Sequence, residues 1–134
     1  IDNIQLVDGR SREVMAASDI LLTASGTATL EIMLYKKPMV VAYKVHWLSY
    51  FIFIKLGLLK TRFYAMPNIL AGKSVVPELM QAECTPQNLA DAVLNLINDE
   101  LQVKSIHAEF ETMHNELAEG SIDTAAEAVL LLLP

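Results

Sequence analysis

The sequence predicts an α/β protein with a Rossmann-like parallel sheet and flanking helices, on three observations. Apolar runs of strand length alternate with segments of helical spacing between residues 4 and 43. The runs at residues 20–22 and 39–43 are continuously apolar, as expected of strands in a sheet covered on both faces. Turn-forming residues separate strands from the helices that follow them. This βαβαβ order implies parallel strands with right-handed crossovers.

The first strand is predicted over residues 4–7, followed by the turn Asp8-Gly9-Arg10-Ser11 and a helix over residues 12–17. In a parallel sheet this turn lies at the carboxyl ends of the strands, where open α/β sheets bind ligands. Gly9 and Arg10 are therefore candidate ligand contacts. The alternative for Arg10 is an ordinary surface position, which is common for arginine.

The second strand-to-helix corner is the main candidate site. Its turn is Ser25-Gly26-Thr27, and Gly26 lets a ligand approach the unpaired N–H groups at the positive end of the next helix, which suits a phosphate. Glu31 follows one helical turn later, where a carboxylate can accept hydrogen bonds from ribose hydroxyls. The pair suggests a nucleotide diphosphate. A purely structural turn with a solvated Glu31 is the alternative, because no complete glycine fingerprint is present.

The segment Trp47 to Leu59 is apolar on nearly every side but shorter than the roughly 20 residues that span a bilayer. From Lys36 to Lys73 the chain has seven basic residues and no acidic one. Cationic flanks around aromatic residues favour an anionic lipid surface, and burial as a core helix is the alternative. The residues predicted to contact the membrane are Trp47, Tyr50, Phe51, Phe53, Lys55, Lys60 and Arg62.

The remaining elements are mostly structural. A short strand is predicted over residues 63–66, and Asn68 follows it in a loop, where it can cap a turn or contact a sugar. Thr85-Pro86 predicts the start of a helix. Residues 101–118 predict a helix with a solvated acidic face. A separate last helix is predicted from residue 121, with an apolar stripe that needs a partner.

Composition excludes several classes of function. The net charge of -6 and the lack of a basic helix disfavour nucleic-acid binding. Cys84 is the only cysteine, so no internal disulfide forms, and the three histidines lack metal-ligand spacing. We therefore expect no metal and no cofactor. The start without methionine, just before a predicted strand, suggests that an upstream part is missing.

Two segments carry a family resemblance: ASGTATLEIMLYKKPMVVAYK and MPNILAGKSVVPELMQAECTPQNLA. Together they resemble the carboxyl-terminal part of the bacterial lipid-A-disaccharide synthases, which are glycosyltransferases of the GT-B fold. The resemblance implies that residues 1–134 form the UDP-sugar-binding half of such an enzyme. It also implies that residues 121–134 form a terminal helix crossing to the missing half or to a second copy, as in a homodimer.

The implied reaction transfers 2,3-diacylglucosamine from UDP-2,3-diacylglucosamine to 2,3-diacylglucosamine 1-phosphate, with inversion and release of UDP. The resemblance implies that the turn Ser25-Gly26-Thr27 contacts the diphosphate and that Glu31 contacts the ribose. It also implies that Asn68 contacts the donor sugar or its phosphate, and that Gly9 and Arg10 lie near the uracil. The family's catalytic base belongs to the amino-terminal half, so this chain alone is expected to be inactive. The implied location is cytoplasmic, peripheral at the inner face of the inner membrane.

One departure and two alternatives accompany the resemblance. Val45-His46-Trp47 stands where the family more often has a Ser-Pro or Lys-Pro pair, so the entry to the apolar segment is expected to differ locally. One alternative is the half of another GT-B protein, a peptidoglycan UDP-N-acetylglucosamine transferase or a UDP-sugar epimerase, although these lack PNILAG followed by VPEL. The other is a membrane-docking module without catalysis.

Overall fold

The computed structural model describes the backbone of residues 3–45 and 62–130, and the side chains of these residues up to Glu119. At its centre is a three-stranded parallel sheet in the order β1-β2-β3, which confirms the predicted α/β class. Its strands are β1 (Leu21–Ala24), β2 (Met39–Tyr43) and β3 (Glu78–Met80).

The strand register aligns the ends of the sheet. Ala24 pairs with Ala42, and Tyr43 pairs with Met80, so the three strands finish close together at one edge. That carboxyl edge is where parallel α/β sheets bind ligands, because the turns into the following helices emerge there. The turn after β1 is therefore positioned by strand pairing with β2.

Five helices are described around this sheet. Helix α2 contacts β1 and β2 as well as α3 and α5, and α4 contacts β2 and α5. Thr85 caps α4 as predicted, with the Asn88 N–H donating to its Oγ1 over 3.2 Å. The helices are α1 (Ser11–Ala17), α2 (Thr27–Leu34), α3 (Met66–Ala71), α4 (Pro86–Asn98) and α5 (Glu100–Leu130).

The core joins the sheet to the long helix α5. Phe110 and Ile106 of α5 belong to one buried cluster with Ile32 of α2 and Val40 of β2. Burying side chains of this size stabilises the fold by about 1.5 to 3 kcal/mol each. Helix α5 is thus a main source of core packing, although sequence patterning shows only its polar face.

Four predicted features are wrong. Residues 4–7 form no strand, and Leu6 is 94% exposed, since they pair with no neighbouring strand among the described residues. Leu22 of β1 is 54% exposed, so that run is not covered on both faces. Residues 63–66 form no strand, because α3 begins at Met66. The two predicted carboxyl-terminal helices are one helix, since a glycine such as Gly120 costs a helix only about 1 kcal/mol.

The acidic face of α5 is also not simply solvated. Glu109 forms an ion pair with Lys73 over 2.6 Å, and Glu111 forms one with Lys36. The sequence between these two lysines contains no acid, but α5 returns across the fold and supplies two. Both ends of the stretch 36–73, which has no acid of its own, are therefore paired with acids of α5.

The apolar segment at residues 46–61 lies outside the described residues, and with it every predicted membrane contact except Arg62. Arg62 is exposed, and its guanidinium lies 5.6 Å from the centre of the Phe63 ring. Among the described helices, none is both long enough and apolar enough to cross a bilayer.

Candidate functional site

The turn Ser25-Gly26-Thr27 lies between β1 and α2, as predicted. Gly26 has φ 141°, a conformation that side chains with a Cβ strongly disfavour. A Cβ built there would meet no atom within 4 Å, so conformation and not crowding requires the glycine. Gly26 and Thr27 are exposed, and their N–H groups have no carbonyl partner among the described residues, whereas the N–H of Thr29 donates to the Gly26 carbonyl over 3.1 Å. The turn can therefore present backbone donors to an anion.

Thr29 supports this turn from beneath, a role that the sequence did not suggest. It is fully buried, its hydroxyl donates to the carbonyl oxygen of Gly26 over 2.7 Å, and it accepts from the N–H of Met66 over 3.1 Å. Both capacities of the hydroxyl are therefore used inside the protein. Thr29 ties the turn to the start of α3.

Ser25 makes a second connection to the same neighbouring segment. Its hydroxyl donates to the carbonyl oxygen of Tyr64 over 2.9 Å, and a carbonyl can only accept. While this bond persists, Ser25 Oγ has no proton to offer to a phosphate oxygen. The Ser25 N–H likewise donates to the Ala42 carbonyl over 3.2 Å, so the donors left at the turn are the N–H groups of Gly26 and Thr27 and the exposed Thr27 hydroxyl.

Glu31 lies on the exposed side of α2, one turn after Thr27. Its carboxylate makes no hydrogen bond or ion pair with any described residue. A carboxylate so placed keeps all its acceptor capacity for an external donor such as a hydroxyl group. The structure thus brings the turn and Glu31 together on a single helix.

Asn68 is buried and is the third residue of α3, so its predicted position in a loop is wrong, although its side chain does bind backbone groups of the loop that follows the helix. Its Oδ1 accepts from the N–H groups of Val75 and Val76 over 2.7 and 2.9 Å. Its Nδ2 donates to the Val76 carbonyl over 2.9 Å and to Glu78 Oε1 over 2.7 Å. A direct contact with a sugar would require one of these four bonds to break.

Glu78 is a polar residue of this region that pattern analysis missed. Besides Asn68, its carboxylate accepts from the backbone N–H of Tyr64 over 3.0 Å and of Ala65 over 2.9 Å. The available signal was a glutamate within an apolar strand sequence, since acids leave the surface of proteins mainly when they are paired. The Tyr64 ring also stacks on Tyr43 at the end of β2, with 6.0 Å between centroids.

Gly9 and Arg10 are exposed and precede α1. The Arg10 Nε donates to the Glu13 carboxylate over 2.9 Å. This hydrogen bond lowers the pKa of the Glu13 carboxyl and raises that of Arg10. The side chain of Arg10 is thus paired within its own helical turn.

A cavity of about 840 Å³ lies elsewhere. Ile20 and Pro38 line it, and they precede β1 and β2, so it opens at the amino ends of the strands. None of the predicted site residues lines it. We place the candidate site at the carboxyl edge because the exposed turn Ser25-Gly26-Thr27 and the Glu31 carboxylate lie together there, at the end of a sheet strand.

Comparison with known proteins indicates the same family as the resemblance carried by the two sequence segments. The profile of the lipid-A-disaccharide synthetase family matches residues 2–132. Lipid-A-disaccharide synthases from Xanthomonas campestris pv. campestris (strain 8004), Alkalilimnicola ehrlichii and Pseudoalteromonas translucida are 48%, 46% and 44% identical to the chain. The matches cover 96%, 96% and 97% of this chain but 29%, 33% and 33% of those proteins, so it spans about a third of their length. The chain belongs to the lipid-A-disaccharide synthetase family.

Proposed function

We propose that this chain forms the donor-binding part of an inverting glycosyltransferase of lipid A biosynthesis. The donor is UDP-2,3-diacylglucosamine, the acceptor is 2,3-diacylglucosamine 1-phosphate, and the products are lipid A disaccharide 1-phosphate and UDP. The name shared by the relatives supports the reaction. The observation that carries the site is the left-handed Gly26 before the exposed start of α2, with Glu31 unpaired one turn later.

The diphosphate of UDP binds at Ser25, Gly26 and Thr27. The donors are the N–H groups of Gly26 and Thr27 and the Thr27 hydroxyl, while Ser25 shapes the turn through its N–H bond to Ala42 and its hydroxyl bond to Tyr64. The positive end of the α2 dipole adds attraction for the phosphate charge. The same groups stabilise UDP as it leaves, because negative charge grows on the phosphate when its bond to the sugar breaks. This device needs no metal or cofactor.

Glu31 binds the ribose. Its exposed carboxylate has no competing partner among the described residues and lies one helical turn beyond the diphosphate contacts. Two hydroxyl groups can donate to one carboxylate, and hydrogen bonds to a charged acceptor are among the stronger ones in water. Glu31 therefore selects a ribonucleotide over free diphosphate.

In the displacement, the acceptor hydroxyl attacks the anomeric carbon as the bond to the UDP oxygen breaks, and the bonding electron pair leaves with UDP. A base must take the hydroxyl proton. Glu31 is committed to the ribose, so the base comes from the rest of the intact protein. This chain by itself is then inactive.

Two further assignments follow the family resemblance. Gly9 and Arg10 border the uracil, where Arg10 would exchange its bond with Glu13 for one with the base. Asn68 contributes to the donor-sugar site indirectly, by holding residues 75–78 in place, because its own amide is fully hydrogen-bonded inside the protein.

We also propose that residues 44–62 dock on an anionic membrane at the cytoplasmic face of the inner membrane, where the acylated substrates reside. Each basic residue near such a surface contributes about 1 kcal/mol. Sedimentation with vesicles tests this: binding should require anionic lipid, weaken with salt, and fall for Lys55→Glu combined with Lys60→Glu. Equal binding to neutral vesicles would contradict it. The terminal helix pairs with the rest of the protein or with a second copy.

Calorimetry with UDP on the intact protein tests the nucleotide site. UDP should bind in excess chelator, and Glu31→Ala should weaken it by about 1.5 to 3 kcal/mol, the usual value of a hydrogen bond to a charged group. Binding of free diphosphate should change little. Glu116→Ala, which removes an exposed glutamate on α5, is the matched control. Equal losses in both variants, or no UDP binding at all, would contradict the proposal.

A further inference from the structure

Glu78 is half-buried, and its carboxylate lies among the backbone donors of a neighbouring segment. Glu78 begins β3 and pairs in register with the buried Val41 of β2. A carboxylate in such a position is costly to desolvate unless several donors compensate for it. Its partners therefore indicate what it does.

The donors that compensate Glu78 come from one short segment and the helix after it. The Tyr64 N–H is shared between Oε2, at 3.0 Å, and Oε1, at 3.3 Å, and Oε1 also accepts from the N–H of Ala65 and from Asn68 Nδ2. Tyr64 and Ala65 directly precede α3, so the negative charge also lies at the positive end of that helix. Glu78 thus fastens the segment 64–65 to the sheet through charge-assisted bonds.

The opposite side of this segment faces the turn that precedes α2. The Tyr64 carbonyl accepts from Ser25 Oγ, and the neighbouring Met66 N–H donates to Thr29, whose hydroxyl donates in turn to the Gly26 carbonyl. A continuous hydrogen-bonded path therefore runs from Glu78 through residues 64–66 to Ser25 and Gly26. Groups on this path hold each other in one arrangement.

We propose that Glu78 is a positioning residue for the diphosphate turn. It fixes residues 64–66, and these fix the Ser25 hydroxyl and the Gly26 carbonyl so that the N–H groups at the start of α2 point to the ligand. A preorganised donor set binds an anion better than one that must be ordered first. The inference rests on the proposed UDP site, but the anchoring of residues 64–65 is measurable without any ligand.

The test compares three variants of the intact protein. Glu78→Gln keeps Oε1 for Ala65 and Asn68 but replaces Oε2, the nearer acceptor of the Tyr64 N–H, with an amide group that cannot accept, so Tyr64 retains only its 3.3 Å bond to Oε1. Glu78→Ala removes the hydrogen bonds from all three donors. Glu83→Gln neutralises an exposed glutamate in the turn after β3 and is the matched control.

Two quantities are measured for each variant. Hydrogen exchange of the peptide amides at residues 64–65, without ligand, should accelerate by about tenfold or more in Glu78→Gln and further in Glu78→Ala. The Kd of UDP should rise by about tenfold in Glu78→Gln, while the Kd of uridine, which lacks the diphosphate, should stay within about twofold. Glu83→Gln should change neither.

Each other outcome has a definite meaning. A lower Tm with unchanged exchange at residues 64–65 and unchanged UDP affinity would overturn the proposal. Equal weakening of UDP and uridine would also overturn it, because that indicates general disruption of the fold. If the unmodified protein binds no UDP, the proposed function fails, and the exchange measurement alone then decides whether Glu78 anchors the segment.

Discussion

The turn at residues 25–27 and the cluster around Asn68 and Glu78 are joined by hydrogen bonds, yet they use polar groups in opposite ways. The N–H groups of Gly26 and Thr27 in the turn have no partner among the described residues, and neither has the Glu31 carboxylate beside them. The cluster saturates the amide of Asn68 with four hydrogen bonds inside the protein. The difference teaches that residue type alone does not identify a ligand contact. A polar group that binds a ligand must retain capacity that folding has not used.

The largest expected effect concerns the saturated cluster. Asn68→Ala removes the acceptor for two backbone N–H groups and a donor to Glu78, leaving buried polar groups without partners. We expect a loss of about 3 kcal/mol or more in the free energy of unfolding. Urea denaturation measures it, with Asn95→Ala, an exposed asparagine on α4, as the control. If Asn68→Ala kept its stability and lost only UDP affinity, Asn68 would be a ligand contact and not a structural residue, contrary to this prediction.

A smaller effect is expected at the boundary between the regions. Ser25→Ala deletes a hydroxyl that donates to Tyr64, so we expect about 1 kcal/mol of lost stability. UDP affinity should fall less than it does in Glu31→Ala, because the hydroxyl is not the phosphate donor. Denaturation and calorimetry on the same variant separate the two quantities. A large loss of UDP affinity at unchanged stability would mean that Ser25 turns its hydroxyl to the phosphate when the ligand binds.

The smallest effect is expected at the exposed ion pair between Lys36 and Glu111, which links the end of α2 to α5. The hydrogen bond from Lys36 lowers the pKa of the Glu111 carboxyl below its ordinary value of 4.5. A lowered folded-state pKa contributes stability above the unfolded pKa, and the contribution is lost as pH falls through the folded value.

The difference in denaturation midpoint between the unmodified protein and Glu111→Gln should therefore be small at pH 7 and vanish in acid. Glu116→Gln, an exposed position on the same helix, should show no difference at either pH. A midpoint difference that grows in acid would contradict the assignment. The Kd of UDP should be the same in Glu111→Gln as in the unmodified protein, because neither Lys36 nor Glu111 belongs to the proposed UDP site.

Local chemistry was enough to predict the central unit. The bounds of β2, the turn at residues 25–27 and the helix after it follow from an apolar run, a glycine and a change of period, all of which act within a few residues. The cap at Thr85 is equally local, since its bond reaches only three residues along the chain. Structural features that are determined by residues a few positions apart depend little on the tertiary packing of the rest of the protein.

Two of the expectations that the structure overturns depended on distant partners. Residues 4–7 have a strand pattern but pair with no strand among the described residues, and a pattern without a partner forms no sheet. The acids that compensate Lys36 and Lys73 lie on α5, more than thirty positions away in sequence. Charge balance along the chain is thus a poor guide to charge balance in space.

The sequence by itself determined the fold class, the family and the place of the turn at residues 25–27, because periodicity, a turn glycine and helix polarity are encoded over short spans. Only the tertiary structure decided which polar residues remain free for a ligand. The bonds of Asn68 to residues 75–78 and of Ser25 to Tyr64 form when separate segments come together. Hydrogen-bond capacity is used up by partners in space, and spacing along the chain does not reveal them.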